Sequence, residues 1–269
     1  MVNEKSQVQS QPLILPATAR APRPTRWLTV LGLVAFVAVW QAVVWLADYP
    51  AFILPSPMQV LTKFVRVAGS GLLWRHLSVT LLEVVLGFSL GFATATVLGY
   101  WFAKRPLAEE LVSPYVVAMQ AIPVVAVAPL LVIWFGSGLL SKVLVCALIV
   151  FFPVLVNTIV GVRSVDAVWL ELMRALNATP WQTFLKVEVP GSLPVILGGL
   201  KLGVTLAVVG AVVGEFVGAE RGLGALIKIS SSLFDTPQLF VALLTLAAMA
   251  LTLYGGVVFL ERSVVTWRR

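Results

Sequence analysis

The chain has 269 residues, of which 59% are hydrophobic and only 12% charged, with a formal net charge of +7. Soluble domains carry about 25% charged residues, so half that density at a mean hydropathy of +0.99 excludes an ordinary soluble enzyme and points to an integral membrane protein. The positive charge needs no nucleic acid, because the placement of Lys and Arg around membrane spans accounts for it.

Residues 1–26 are rich in Pro, Gln and Arg and read as a disordered cytoplasmic tail. Residues 27–47 form the first of six apolar stretches near the length of about 20 residues that a bilayer-crossing helix needs. This stretch is too long for a signal peptide and no small-residue cleavage site follows directly, so it reads as an anchor. Residues 48–78 read as an outer loop. It contains Leu54-Pro55-Ser56-Pro57 and an amphipathic run over 60–67, expected as a short helix on the outer membrane surface.

The other five spans are predicted over 79–102, 111–135, 143–162, 193–217 and 240–260, inside a transmembrane domain of residues 79–262. Segment length without strict alternation selects helices over a barrel. Thirteen of the nineteen Lys and Arg residues then fall on one side of the topology or its edges. Only Lys63, Arg66, Arg75, Lys142, Arg221 and Lys228 fall on the other, which places both termini, including the tail over 263–269, in the cytoplasm.

Gly87 and Gly91 in the second span, and Gly210 and Gly214 in the fifth, are spaced to let helix backbones approach. Packing within one chain is the plainer reading, and a contact between two copies is the alternative. Pro114, Pro123 and Pro129 interrupt the third span. Carbonyls freed at membrane depth are tolerated when buried or lining a cavity, so a triply kinked helix is a pathway candidate. Glu83, Gln120, Asn157 and Glu215 are polar groups inside spans. Helix-to-helix hydrogen bonding, with snorkelling for the glutamates, and a translocation path both account for such groups. Gln120, Pro123, Pro129, Asn157 and Glu215 are the path candidates. Glu83 fits plain hydrogen bonding better.

Several chemistries find no support. No phosphate-binding loop motif, no G-x-S-x-G and no H-E-x-x-H occurs. Glu109 and Glu110 sit beside Lys104 and Arg105 and read as a charge-balanced face rather than an acid/base pair. The single Cys146 cannot form an internal disulfide, and His76 has no companions at metal-ligand spacing. No internal repeat is visible, which argues against a carrier built from paired halves.

Residues 163–193 form the most informative loop, expected on the cytoplasmic side. Asp166 is placed to cap a helix beginning at Ala167 and ending near Leu176. Asn177 follows where a left-handed residue would end it. Thr179-Pro180 starts a second short helix, which Pro190 is expected to break before the fifth span. The elbow would project Ala175, Leu176, Ala178 and Trp181 towards a protein groove. The alternative is a loop lying flat on lipid headgroups.

These residues carry a resemblance. The spacing Glu171-Leu172-Met173, three residues, Asn177, nine residues, Val187-Glu188-Val189-Pro190 resembles the permease signature of bacterial ATP-binding-cassette importers, E-A-A, three residues, G, nine residues, I-x-L-P. Leu-Met replaces the two alanines, and Asn177 the glycine. The segments 122–129, Trp134-Phe135-Gly136, Phe151-Phe152-Pro153 and Gly222-Leu223-Gly224 are similar to the nitrate, sulfonate and taurine branch. Thr80-Leu81-Leu82-Glu83 and the segment 214–218 look more like permeases for pyrimidine vitamin precursors or riboflavin.

The resemblance covers residues 54–262 and implies an all-α membrane protein with six transmembrane helices and a coupling-helix elbow between the fourth and fifth. It implies an importer permease of the bacterial inner membrane, usually a homodimer, that is not itself an enzyme. Glu171, Arg174, Ala175, Leu176, Asn177, Ala178, Trp181 and Pro190 would dock on a cytoplasmic ATPase. An extracytoplasmic binding protein would deliver substrate. No cofactor is expected on this chain, ATP and Mg being used by the partner. The alternatives are a proton- or ion-coupled carrier working through Glu83 and Glu215, and a membrane anchor for a cytoplasmic enzyme.

Overall fold

The computed structural model describes residues 26–265. Of the tail expected over residues 1–26, all but Arg26, which begins a helix, lies outside the described residues, as do the last four residues of the chain. The described part is helical, with no strand among the described residues. Five helices are long and apolar enough to cross a membrane, six if one sharply bent pair is counted as a single span.

Helix α1 (Arg26–Ala47) is apolar all round and exposes most of its side chains. It is tethered through Trp40, whose indole donates to Pro55 O at 3.0 Å and stacks on Phe240. Helix α2 (Pro57–Gly69) is the expected amphipathic helix, three residues longer at its start and two at its end. Ser56 and Gln59 form a reciprocal capping box that satisfies the first free amides. Its Val60 and Val67 are buried, and Lys63 pairs with Asp235.

Helices α3 (Leu72–Lys104), α6 (Leu139–Arg163) and α9 (Val189–Gly218) form the core, with α6 in the middle. Lipid is as apolar as leucine, so close packing rather than transfer from water must hold such helices together. The contacts show how. A Cβ on Gly87 would lie 2.2 Å from that of Cys146, and one on Gly210 would lie 2.8 Å from the Cys146 Cα. The glycine pairs therefore serve contacts within one chain. Gly87 faces Val143 and Cys146, Gly91 faces Ala147, and Gly99 faces Leu155 and Thr158, so α3 and α6 run in the same direction. Gly210 meets Cys146 while Gly199 meets Asn157, so α9 runs against them.

Two consecutive parallel helices require a return between them. That return is α4 (Pro106–Ala121) followed by α5 (Val124–Phe135), bent by 93°. The three prolines do not kink the segment three times. Pro114 and Pro129 stay inside α4 and α5, and the one break falls at Ile122–Pro123. A proline drives the preceding residue out of the helical region, and Ile122 is extended at φ −77° and ψ 119°.

Three further differences from the sequence expectation concern helix ends. Between the spans predicted over 193–217 and 240–260, where no element is predicted, α10 (Leu223–Ser232) forms ahead of α11 (Thr236–Val264) and buries six of its ten residues. The helix α11 runs past residue 262 to Val264, so part of the expected terminal tail is helical. Pro190 does not break the chain before the fifth span. Helix α8 (Pro180–Thr183), a π-helical turn (Phe184–Glu188) and α9 form one run of 39 residues. In an α-turn the Pro190 ring would meet the Lys186 carbonyl. The wider turn, in which Val189 N–H donates to Phe184 O, relieves that contact.

Candidate functional site

The elbow is built from local hydrogen bonds. Asp166 accepts from Val168 N at 2.9 Å and starts α7 (Ala167–Ala175). At its end, Asn177 N donates to Arg174 O at 3.0 Å and Ala178 N to Met173 O at 2.9 Å. These two bonds are the Schellman motif, which needs a left-handed residue between helix and exit. Asn177 supplies it at φ +50°. Thr179 and Gln182 then form a capping box that opens α8, with Pro180 at its first position. Asp166, Asn177 and Thr179 sit where the sequence placed them. The partnership of Gln182 with Thr179 was missed, though the T-x-x-Q spacing was there to be read.

Glu171, Arg174, Ala175, Leu176 and Asn177 are exposed, Ala178 and Pro190 half-buried. Trp181 is 66% exposed, with its ring stacked on Phe184 at 5.4 Å. Val168, Trp169 and Leu185 add exposed apolar surface. This surface sits on two capped helices and has no cover among the described residues.

The expected path residues do not converge. Gln120 lines a cavity of about 500 Å³ between the end of α3, α4 and α6, together with Phe102, Val116, Leu155 and the Glu109–Arg163 ion pair. Pro123 sits exposed at the bend, and Pro129 is exposed on α5. Asn157 is half-buried, donates to Pro153 O at 2.8 Å and lies against Gly199. Glu215 is sealed inside the opposite end of the bundle.

That opposite end holds a polar cluster assembled from four elements. Thr80 of α3 donates to Glu215 Oε1 at 2.6 Å and accepts from Leu223 N at 2.7 Å. Gly224 N donates to Glu215 Oε2 at 2.5 Å. His76 Nδ1 lies 2.7 Å from Gly222 O and 3.1 Å from Gly222 N. Lys142 of α6 is buried, 3.8 Å from Glu83 Oε1, and donates to Ser137 O. Glu83 is 1% exposed and lies beside Glu215. Its Oε2 meets no donor among the described residues. Gly222 cannot be replaced here: its φ is +124° and a Cβ would fall 2.2 Å from the Glu215 carboxyl. The sequence marks Glu83 and Glu215 as polar groups in spans, but no periodicity could pair residues so far apart, and Lys142 and His76 lie outside the predicted spans.

The bundle of parallel and antiparallel spans with one capped elbow matches a known class. Residues 87–265 match the family model described as the binding-protein-dependent transport system inner membrane component. The chain is 48% identical over 262 residues to the riboflavin transport system permease protein RibX of Chloroflexus aurantiacus, covering 94% of this chain and 97% of that one. It is 34% identical over 250 residues to the formylaminopyrimidine transport permease protein ThiX of Halalkalibacterium halodurans, covering 93% and 97%. Among solved structures, a chain of the inward-facing MetNI methionine ABC transporter superposes with a TM-score of 0.58 at 22% identity, covering 71% of this chain and 94% of that chain, and shows the same fold.

The chain belongs to the binding-protein-dependent transport system inner membrane component family. It is the multi-pass inner-membrane permease of an ATP-binding-cassette importer. Such permeases have no ATPase site of their own, and a separate subunit hydrolyses ATP while a substrate-binding protein serves the transporter.

Proposed function

We propose that this permease carries riboflavin or a related pyrimidine-containing vitamin precursor into the cell. The observation that carries this reading is the 48% identity to a riboflavin permease along nearly the whole chain. The formylaminopyrimidine permease relative supports the wider heterocycle class. The test is uptake of labelled riboflavin by a riboflavin-requiring host that expresses this permease with its ATPase and binding protein. Growth on limiting riboflavin, with accumulation that needs all three subunits, is expected. Accumulation of taurine or an alkanesulfonate without riboflavin would overturn it. Accumulation driven by a proton gradient without the ATPase would favour the coupled-carrier reading.

In this reading the bent pair α4–α5 counts as one crossing, giving six, because it carries the chain back between two parallel spans. Both termini and the α7–α8 elbow face the cytoplasm, where Glu171, Arg174, Leu176 and Trp181 meet the ATPase. Two copies form the transporter, and the exposed apolar surfaces of α4 and α5 suit either the second copy or lipid. The permease binds no cofactor, and ATP with Mg is held by the ATPase. Gln120 takes part in the path through the cavity it lines, offering a donor and an acceptor among apolar neighbours. Glu215 serves the closed polar end instead.

A further inference from the structure

We infer that Glu188 is the positioning residue that ties the elbow to α3, so that movement of the elbow is delivered to two spans rather than one. The inference rests on the reading of the elbow as the ATPase contact.

Four observations carry it. Glu188 is the last residue of the π-helical turn and is only 6% exposed. Its two carboxylate oxygens are divided between partners on α3: Lys104 Nζ donates to Oε1 at 2.5 Å and the Tyr100 hydroxyl to Oε2 at 2.8 Å. Its own backbone carbonyl accepts from Ser192 at 2.6 Å, which fixes the turn to α9. Around the carboxylate, Phe184 packs edge-on against Tyr100 at 5.2 Å and face-on against Trp181 at 5.4 Å. A chain of contacts thus runs from the exposed Trp181 through Phe184 to Tyr100, which Glu188 also holds, together with Lys104, in the last turn of α3.

The geometry has a mechanical consequence. Helix α8, the π-turn and α9 are continuous, so displacement of the elbow reaches α9 through the backbone. Helix α3 has no such covalent route, because its last residues lead into α4. A carboxylate held by an ammonium and a phenol is a strong, directional tie. It lies in a turn whose wider ring leaves room for local adjustment. Coupling needs a physical element whose state both sites bias, and this tie is placed to be one. The ion pair Glu109–Arg163 joins α4 to α6, and Lys201–Glu261 at 2.5 Å joins α9 to α11, so neither links the elbow to α3.

The test is hydrogen exchange by mass spectrometry on the permease purified with its ATPase, without nucleotide and with a non-hydrolysable ATP analogue. In the unmutated complex, peptides covering residues 176–188 and 98–104 both change exchange when the analogue binds. In Glu188→Gln the elbow peptide still responds, while the response of the α3 peptide falls at least about five-fold, the low end of typical coupling between sites. The exchanged pair Lys104→Glu with Glu188→Lys restores it at least in part. A merely structural loss would raise exchange equally in both nucleotide states. Lys104→Met, which alters the half-exposed partner, supplies the same test if Glu188→Gln fails to fold. An α3 response that persists in these variants, or that is absent from the unmutated complex while the elbow responds, would overturn the tie. Loss of the ATPase from Glu188→Gln would assign Glu188 to docking and would also overturn it. Failure of the elbow itself to respond in the unmutated complex would instead sink the reading of the elbow.

Discussion

The two ends of the bundle treat polar and apolar groups in opposite ways. At the α10 end, Glu83, Glu215, Thr80, His76 and Lys142 turn inward and are satisfied almost wholly by one another and by the backbone before α10. At the α7 end, the Asp166 cap, the turn at Asn177 and the Thr179–Gln182 capping box set the backbone and leave Leu176 and Trp181 outside. Burial of several ionisable groups is costly unless they are paired, so the first end is organised for closure. A capped apolar surface with no cover among the described residues is organised for a partner. The difference teaches where stability and where function should respond to mutation.

The largest effect is expected at the α3–α6 crossing that joins both ends. Gly87→Leu should cost about 3 kcal/mol or more through overpacking, because even a Cβ meets Cys146. Gly198→Leu, with open space around it, should be tolerated. Fluorescence-detected size exclusion after heating separates the two, and equal melting would break the packing account.

Next, Trp181→Glu should weaken ATPase binding about 30-fold or more, as loss of an aromatic anchor does, without lowering the melting temperature. Unchanged co-purification of the ATPase would remove the elbow from that contact. Glu215→Ala should do the reverse. It leaves Thr80 and the Gly224 amide without their acceptor and should cost about 1–3 kcal/mol of stability, with ATPase binding intact. A Glu215→Ala variant that lost ATPase binding but kept its stability would erase the contrast between the ends. The smallest effect is expected for Gln120→Ala, which should reduce uptake about three- to ten-fold, the worth of one net hydrogen bond, at normal assembly. Normal uptake by that variant would exclude Gln120 from the path.

Much of the elbow was legible because its signals are local. Asp166, Asn177 and Thr179 act on backbone groups within a few residues, so spacing alone locates them. Helix α10 was not legible. Its Gly-rich approach and Ser-rich end look like a loop, and distant residues hold its first turn in place: Glu215 accepts from Gly224 N, Thr80 accepts from Leu223 N, and His76 meets Gly222. Pro190 misled for a related reason. Proline usually ends a helix, but a π-turn can carry the backbone past it when the flanking residues are held, as Glu188 is by α3.

The sequence by itself determined the membrane class, the span positions to within several residues, the capped elbow and the small residues where helices meet. These follow from hydropathy and from contacts within one or two helical turns. Tertiary structure alone decided that α3 and α6 run parallel with a bent return between them, that Glu83 and Glu215 share one buried end, and that Glu188 reaches α3. Those outcomes depend on residues brought together from opposite parts of the chain, and no local pattern encodes which distant partner a buried carboxylate will find.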